Sequence, residues 1–309
     1  MNIEEEIQSY DMSYMQDRGS IVAAHIADLH FPAMNPQRQY TILREQFIEK
    51  LLLLPKLDLV CIDGDIFDHK VALSSDATFY ASLFISDLVE LVAKIKNATV
   101  IILQGTLSHD ANQLKIYYHY MNRTDVDVRV VTNIRFEVIR NYKVLCIPEL
   151  YGVPEEIYQQ FLYRSGFYDL CIMHGTMHGA VYGDNVGQGR LFHMEDFLNC
   201  CGPIISGHIH KPQCISDHFY YCGSPYRWRF DDDHTKGFIL LCYNLNTRQY
   251  YLDYQEIFSD IYKTIEMNDL INNNPIDTIN YIKELQSTQG INYIRIKFNN
   301  PLTMANKMA

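Results

Sequence analysis

The chain has 309 residues, enough for one large core with a smaller domain attached. Hydrophobic residues at 48% and charged residues at 20% place it with ordinary globular proteins rather than disordered or fibrous chains. A formal charge of -11 argues against nucleic-acid binding by bulk positive charge, while leaving room for a local basic groove or a site whose positive charge comes from metal ions.

Residues 1–20, "MNIEEEIQSYDMSYMQDRGS", form an acidic leader with no apolar segment and do not read as a secretory signal. The apolar runs around "LLLLP" and "TVIIL" are too short to span a bilayer. The eight cysteines form no CxxC pair, and Cys61, Cys146, Cys171, Cys222 and Cys242 lie in apolar, strand-like runs as small buried hydrophobes do. A reduced, cytoplasmic protein is the expectation.

After the leader, "SIVAAHIADLH" is a buried strand with a polar exit, followed by a helix through "QYTILREQFIEKLLLL" that Pro55 stops. "LDLVCIDGDIFD" repeats the strand and exit. "SSDATFYASLFISDLVELVAKIKNA" opens on Ser and Asp and has helical apolar spacing, and "TVIILQGTLSHD" is a third strand with a polar exit. This alternation implies right-handed crossovers and a largely parallel sheet.

"VRVVT", "IRFEVIR" and "KVLCIPE" alternate as half-buried strands. "YDLCIMHGTMHG" and "GPIISGHIHKP" again pair a strand with a polar exit, and "FYYCGSPYRWRF", "KGFILLCYNL" and "RQYYLDYQEI" read as a closing meander. The expected fold class is α/β: two sheets in a sandwich, flanked by helices, over residues 21–258. Residues 259–309 read as a small appended α/β unit of strand, polar loop, helix and strand. There Asp277 caps the helix, Ile276, Ile279, Ile282 and Leu285 form its apolar face, and Gly290 ends it.

Five strand exits carry metal-competent groups: Asp28 and His30; Asp65 and Asp68; Gly105 to Asp110; His174; and His208 and His210. In an extended or tightly turned exit, residues two apart point to one side, so Asp28 with His30 and His208 with His210 can each grip one cluster. Mixed carboxylate and imidazole suits manganese, iron or zinc rather than calcium, and the lack of a thiolate set disfavours structural zinc. Each fragment alone is weak, since a lone Asp-x-His is common and "GDIFD" also reads as a turn-capping carboxylate. Together, in order and each after an apolar strand, they point to a metal site.

The order DxH, GDxxD, G(N)HD, H-G, GHxH resembles the calcineurin-like metallophosphoesterases. "GDIFD", "SGHIHKPQ" and the pairing of Gly223-Ser224 with Lys236-Gly237-Phe238 are similar to the SbcD-type DNA-repair nuclease subunit in its bacterial and phage forms. The resemblance covers about Ile21 to Tyr243. It implies a two-sheet metallophosphoesterase sandwich and two divalent metal ions, with manganese the expected identity. Asp28, His30 and His210 would hold one ion and His174 and His208 the other, with Asp65 bridging. His109 would be catalytic beside the scissile phosphate, with Asp110 orienting it or a neighbouring loop. Asp68 would touch a ligand or the substrate.

The family's metal-binding Asn is absent. Aligning His109-Asp110 with the family's His-Asp puts Ser108 in the ligand position; the alternative is a longer turn in which Thr106 or a backbone carbonyl fills the gap. In "YRWRF", Arg227 and Arg229 interleave with aromatics, as on a strand edge with Trp228 packed inward and the arginines solvated, or as in a backbone-phosphate contact beside a stacking platform for unpaired bases.

The function implied is metal-dependent hydrolysis of DNA phosphodiesters, exonucleolytic or endonucleolytic, by a dimer working with an SMC-like coiled-coil ATPase. The family's ATPase-binding segment lies beyond the capping domain that residues 259–309 would begin, and the chain is expected to stop short of it. A phosphoesterase acting on small or protein phosphates, and a metal-poor scaffold that binds DNA or a partner, are the alternatives.

Overall fold

The computed structural model describes residues 19–95, 97–181, 189–232, 234–266, 275–289 and 291–297. The leader up to residue 18, the polar loop before the last helix and the expected stop at Gly290 lie outside them. The chain divides into two compact units, one of residues 1–225 and 235–258, the other of residues 226–234 and 259–309. The stretch Tyr226–His234, assigned from sequence to the first domain, thus clusters with the C-terminal unit.

In chain order the strands of the first unit are β1 (Ser20–Ile26), β2 (Leu59–Asp63), β3 (Thr99–Leu103), β4 (Asp127–Val131), β5 (Arg135–Ile139), β6 (Tyr142–Ile147), β7 (Leu170–His174), β8 (Thr176–Met177), β9 (Leu191–Phe192), β10 (Ile204–Gly207), β11 (Gln213–Ser216), β12 (Phe219–Tyr221), β13 (Gly237–Asn244) and β14 (Tyr250–Glu256). They build two six-stranded mixed sheets, ordered β14-β13-β1-β2-β3-β4 and β11-β12-β10-β7-β6-β5. Strands β1 to β4 run parallel, as do β6, β7, β10 and β12; in the first sheet β13 lies antiparallel between β1 and β14, and in the second β11 and β5 are antiparallel edge strands.

The alternation of side chains sorts each strand's residues between two faces. Ile21, Ala23, Leu59, Cys61, Ile101 and Leu103 of the first sheet meet Val144, Cys146, Leu170 and Ile172 of the second in one buried core. The other face of the second sheet, with Leu145, Ile147, Cys171 and Met173, packs under Tyr158, Leu162 and Phe197. Over the first sheet lie α1 (Pro36–Leu43), a π turn at Arg44–Ile48, the short α2 (Glu49–Leu52), and α3 (Asp76–Ala93). Ser75 caps α3 by accepting the Thr78 N–H at 3.2 Å. Phe47 of the π turn wedges between Phe84 of α3 and Phe238 of β13. The architecture is an α/β sandwich with helices outside.

Two expectations need correction. The closing stretch is not one meander: β12 joins the second sheet, whereas β13 and β14 return to the first, β13 lying antiparallel to β1. "YRWRF" is irregular backbone rather than strand, with Trp228 half-buried against Tyr226.

The second unit pairs β15 (Ile261–Glu266) in parallel with β16 (Ile291–Lys297), joined through α5 (Pro275–Gln289), following α4 (Glu155–Gln159) of the first unit. Its core is Ile265, Leu285 and Ile291, with Tyr281 and Ile282 against them. The helix begins at Pro275, so Asp277 lies inside its first turn rather than capping it. Ile276 and Ile279, expected on the apolar face, are 67% and 51% exposed, because a two-stranded sheet covers only the later turns of the helix. Among the described residues no helix is long and apolar enough to cross a membrane.

Candidate metal centre

Three parallel strands in each sheet, β1, β2, β3 and β6, β7, β10, end on the same buried cluster. Open α/β sheets bind ligands beyond the carboxyl ends of their strands, where backbone turns bring side chains from separate strands together. Here the exits of β1 and β2 are zipped by backbone bonds: Asp28 N–H donates to Gly64 O, His30 to Asp65 O and Phe31 to Ile66 O, at 2.8–3.0 Å. Asp28, His30, Asp65 and His208 all have positive φ, from 46° to 88°, a region costly for residues with a Cβ. The tight turns that carry these side chains inward are responsible.

Two overlapping groups of donors result. Ligand atoms of Asp28, His30 and His210 lie within 4.8 Å of one another, as do those of Glu149, His174 and His208. Asp65 and Asp28 join them, since both also group with His174. Asp65 Oδ2 is 3.7 Å from His30 Nε2 and 3.3 Å from His174 Nε2, between the two sets. His30 stands edge-on to His210, and His174 to His208, with ring centroids 4.7 and 5.2 Å apart. Asp28, His30, Asp65, Glu149 and His174 are all buried. Imidazole nitrogens face the three carboxylates here, at 2.9–3.9 Å.

Such a donor set fits a metal ion. Ligand atoms about 2.0–2.2 Å from a metal lie roughly 3–3.5 Å from one another, close to the separations seen. Ordered hydrogen bonds also aim the ligands. His174 Nδ1 donates to the Asp63 carbonyl at 2.7 Å, which turns Nε2 toward Asp65. Both oxygens of Asp28 accept the His208 backbone N–H, at 3.0 and 3.2 Å. Behind the cluster, His25 and Asp63 are paired at 2.9 Å, and with Cys61 they form a further buried metal-competent group that sequence reading left among the structural histidines.

The electrostatics follow the packing. Burial pushes the Asp65 carboxyl up, but His174, His109 and His30 outweigh it and hold the group well below the usual carboxylate range. Burial also dominates at Asp28, whose pKa is raised despite His174 and His30. His174 is held well above the ordinary imidazole range by Asp65, Asp28 and Glu149, against the opposing effect of burial.

The structure brings together Asp28, His30, Asp65, His109, His174, His208 and His210. His109 is 25% exposed, at the open side of the cluster, with Nδ1 2.9 Å from Asp65 Oδ2. Asp68 is 3.3 Å from His30 Nδ1 and 3.2 Å from His69 Nδ1, so it flanks a histidine of the cluster at its rim. Asp110 does not reach the His109 ring but acts as a loop clamp. Its fully buried carboxylate accepts N–H bonds from Gly105, Asp65 and Phe67, at 2.9, 2.9 and 3.2 Å. Burial and nearby Asp65 push its pKa up to about 6.

Ser108 is not at the cluster: it is exposed, on a turn in which the N–H groups of His109 and Asp110 both bond Thr106 O. The hydroxyl directed inward is that of Thr106, 2.9 Å from Glu149 Oε2, 3.1 Å from Asp65 Oδ2 and 3.5 Å from His174 Nε2. Sequence reading missed Glu149 altogether. Its signal was a sixth strand exit, "CIPELYG" after β6, with a carboxylate but no histidine. Arg227 and Arg229 belong to the second unit, where Arg227 bonds the His234 carbonyl and Arg229 is exposed.

The Gly-Ser and Lys-Gly-Phe segments have a physical role in the first unit. Buried Lys236 donates to Ser224 Oγ at 2.8 Å and to His210 O at 3.2 Å, and Ser224 N–H donates to the same carbonyl at 3.1 Å. Together they fix the loop that presents His210.

No protein-family model and no curated protein matches the chain. Among solved structures it is similar to the GAP50 anchor of the inner membrane complex of Plasmodium, at 11% identity and a TM-score of 0.40, over 92% of this chain and 98% of that one. A second solved chain is similar at 11% identity and a TM-score of 0.45, over 76% of this chain and 99% of that one.

Proposed function

We propose that this protein is a metallophosphoesterase of the SbcD type, hydrolysing phosphodiester bonds of DNA with two divalent metal ions, manganese in the first instance. The observation that carries the reading is the convergence of seven expected site residues, from exits of both sheets, on one buried cluster of overlapping donor sets. Asp28, His30 and His210 would hold one ion, His174 and His208 the other, with Asp65 shared. Bound there, the ions would activate water and offset charge on the phosphate.

The chain's own residues do the rest. Burial disfavours the His109 cation, but Asp65 and Asp110 outweigh it and raise its pKa, which favours the protonated ring that would donate to the leaving oxygen. Asp68 and the Asp63 carbonyl keep His30 and His174 oriented. A DNA substrate rests on the SbcD-like segments around Ser224 and Lys236. A homodimer, an ATPase partner and a cytoplasmic setting rest on the same resemblance.

The test is hydrolysis by the full-length protein with manganese, using linear duplex DNA, single-stranded DNA and a generic aryl phosphodiester, beside His109→Ala and Asp65→Ala. DNA degradation abolished by both substitutions is the expected result. Hydrolysis of the small ester alone would move the substrate class to small phosphoesters. Failure to turn over any of the three, with less than one ion bound per chain, would end the catalytic reading.

A further inference from the structure

We infer that Glu149 is a metal ligand, paired with Thr106, and that its charge tunes the centre for singly charged phosphate diesters over doubly charged monoesters. This rests on the metal-centre reading above and adds a residue that the strand-exit motifs do not contain. Glu149 is 4% exposed, and Oε2 lies 3.3 Å from His208 Nδ1, 3.9 Å from His174 Nε2 and 2.9 Å from the Thr106 hydroxyl. These are separations of donors around one ion rather than of a carboxylate reaching outward. Its carboxylate is also hemmed in: a Cβ on Gly189 would stand 2.9 Å from Oε1.

The chemical consequence is one of charge. Asp28, Asp65 and Glu149 place three carboxylates around a centre for two divalent ions, leaving one net positive charge before any hydroxide binds. A diester phosphate, with one negative charge, matches that field. A monoester dianion meets a field weaker by one unit than it would find beside a neutral oxygen ligand.

The experiment is manganese titration of chelator-stripped full-length protein, by calorimetry and by manganese electron paramagnetic resonance. The variants are Glu149→Gln, Thr106→Val and Ser108→Ala. Two ions should bind the wild type. Loss of a residue that merely orients a ligand weakens metal binding by roughly 10- to 100-fold, so Glu149→Gln should weaken one ion at least that far and leave the other in place. Thr106→Val should weaken the same ion by less, and Ser108→Ala should change neither. The ratio of aryl diester to aryl monoester turnover should fall in Glu149→Gln.

Wild-type affinity for both ions in folded Glu149→Gln overturns the ligand assignment while leaving the metal centre standing. An unchanged diester-to-monoester ratio overturns the charge assignment. A wild type that binds no manganese removes the centre itself. If Glu149→Gln does not fold, Thr106→Val decides: unaltered affinity for both ions overturns the pairing.

Discussion

Asp110 shows how much of this site is held by one side chain whose carboxylate lies outside the donor groups. Its carboxylate gathers three backbone N–H groups from the exits of β2 and β3, all buried. Asp110→Ala would strand those three donors, at about 3–9 kcal/mol in total, since each buried polar group left unsatisfied costs roughly 1–3 kcal/mol. Urea unfolding with chelator present should show that loss, and Asp110→Asn a smaller one, because the amide still offers one acceptor. At this scale the sequence was informative where chemistry demands a particular residue type. Imidazoles and carboxylates repeated at successive strand exits are rare enough to notice, and seven of them converge. Thr106 and Glu149 were obscure because a hydroxyl or a lone carboxylate has many other uses, and only the longer turn at "GTLSHD" decides between Thr106 and Ser108.

Among the elements, the turns matter more than the strands. Gly64 follows β2 at φ 95°, and a Cβ there would fall 2.2 Å from His174 Nδ1 and 2.8 Å from the Gly105 backbone. Neither neighbour can yield without moving a member of the donor cluster. Gly64→Ala should therefore cost about 2–5 kcal/mol from backbone strain and overpacking combined. Thermal unfolding and bound-metal analysis should both register it, with metal lost even from the fraction that folds. Strands β1, β2 and β3 were legible as apolar runs with polar exits. The pairing of β13 with β1 was not, because a run buried on both faces, as "GFILLCYN" nearly is, carries no mark of which sheet receives it. The apolar face of α5 was overdrawn for a related reason: spacing records a helix's periodicity and not the width of the surface opposite it.

Taken whole, the first unit is two sheets whose parallel strands finish at one rim. One sheet contributes Asp28, His30, Asp65, Thr106 and His109, and the other Glu149, His174, His208 and His210. An ion shared between them stabilises only the docked sandwich, so the melting temperature should climb with manganese concentration. At one hundred times Kd the gain is about 2.7 kcal/mol per site. That corresponds to roughly 5–10 °C for a unit of this size. A melting temperature indifferent to manganese would count against metal held jointly by both sheets.

The bond from the His208 amide to Asp28 joins residues 180 apart in the chain. That separation gives the centre a place in time as well as in space. Nearly all of the first unit must be synthesised, and both sheets docked, before a nascent or refolding chain can close the ring of donors. Such distant contacts close late. Any metal uptake would therefore report completed folding: the first sheet alone brings Asp28, His30, Asp65 and His109, and docking of the second adds Glu149, His174, His208 and His210. In a refolding experiment, manganese capture should follow the appearance of β structure rather than accompany it, so that a bound ion would mark the chains whose two sheets have docked.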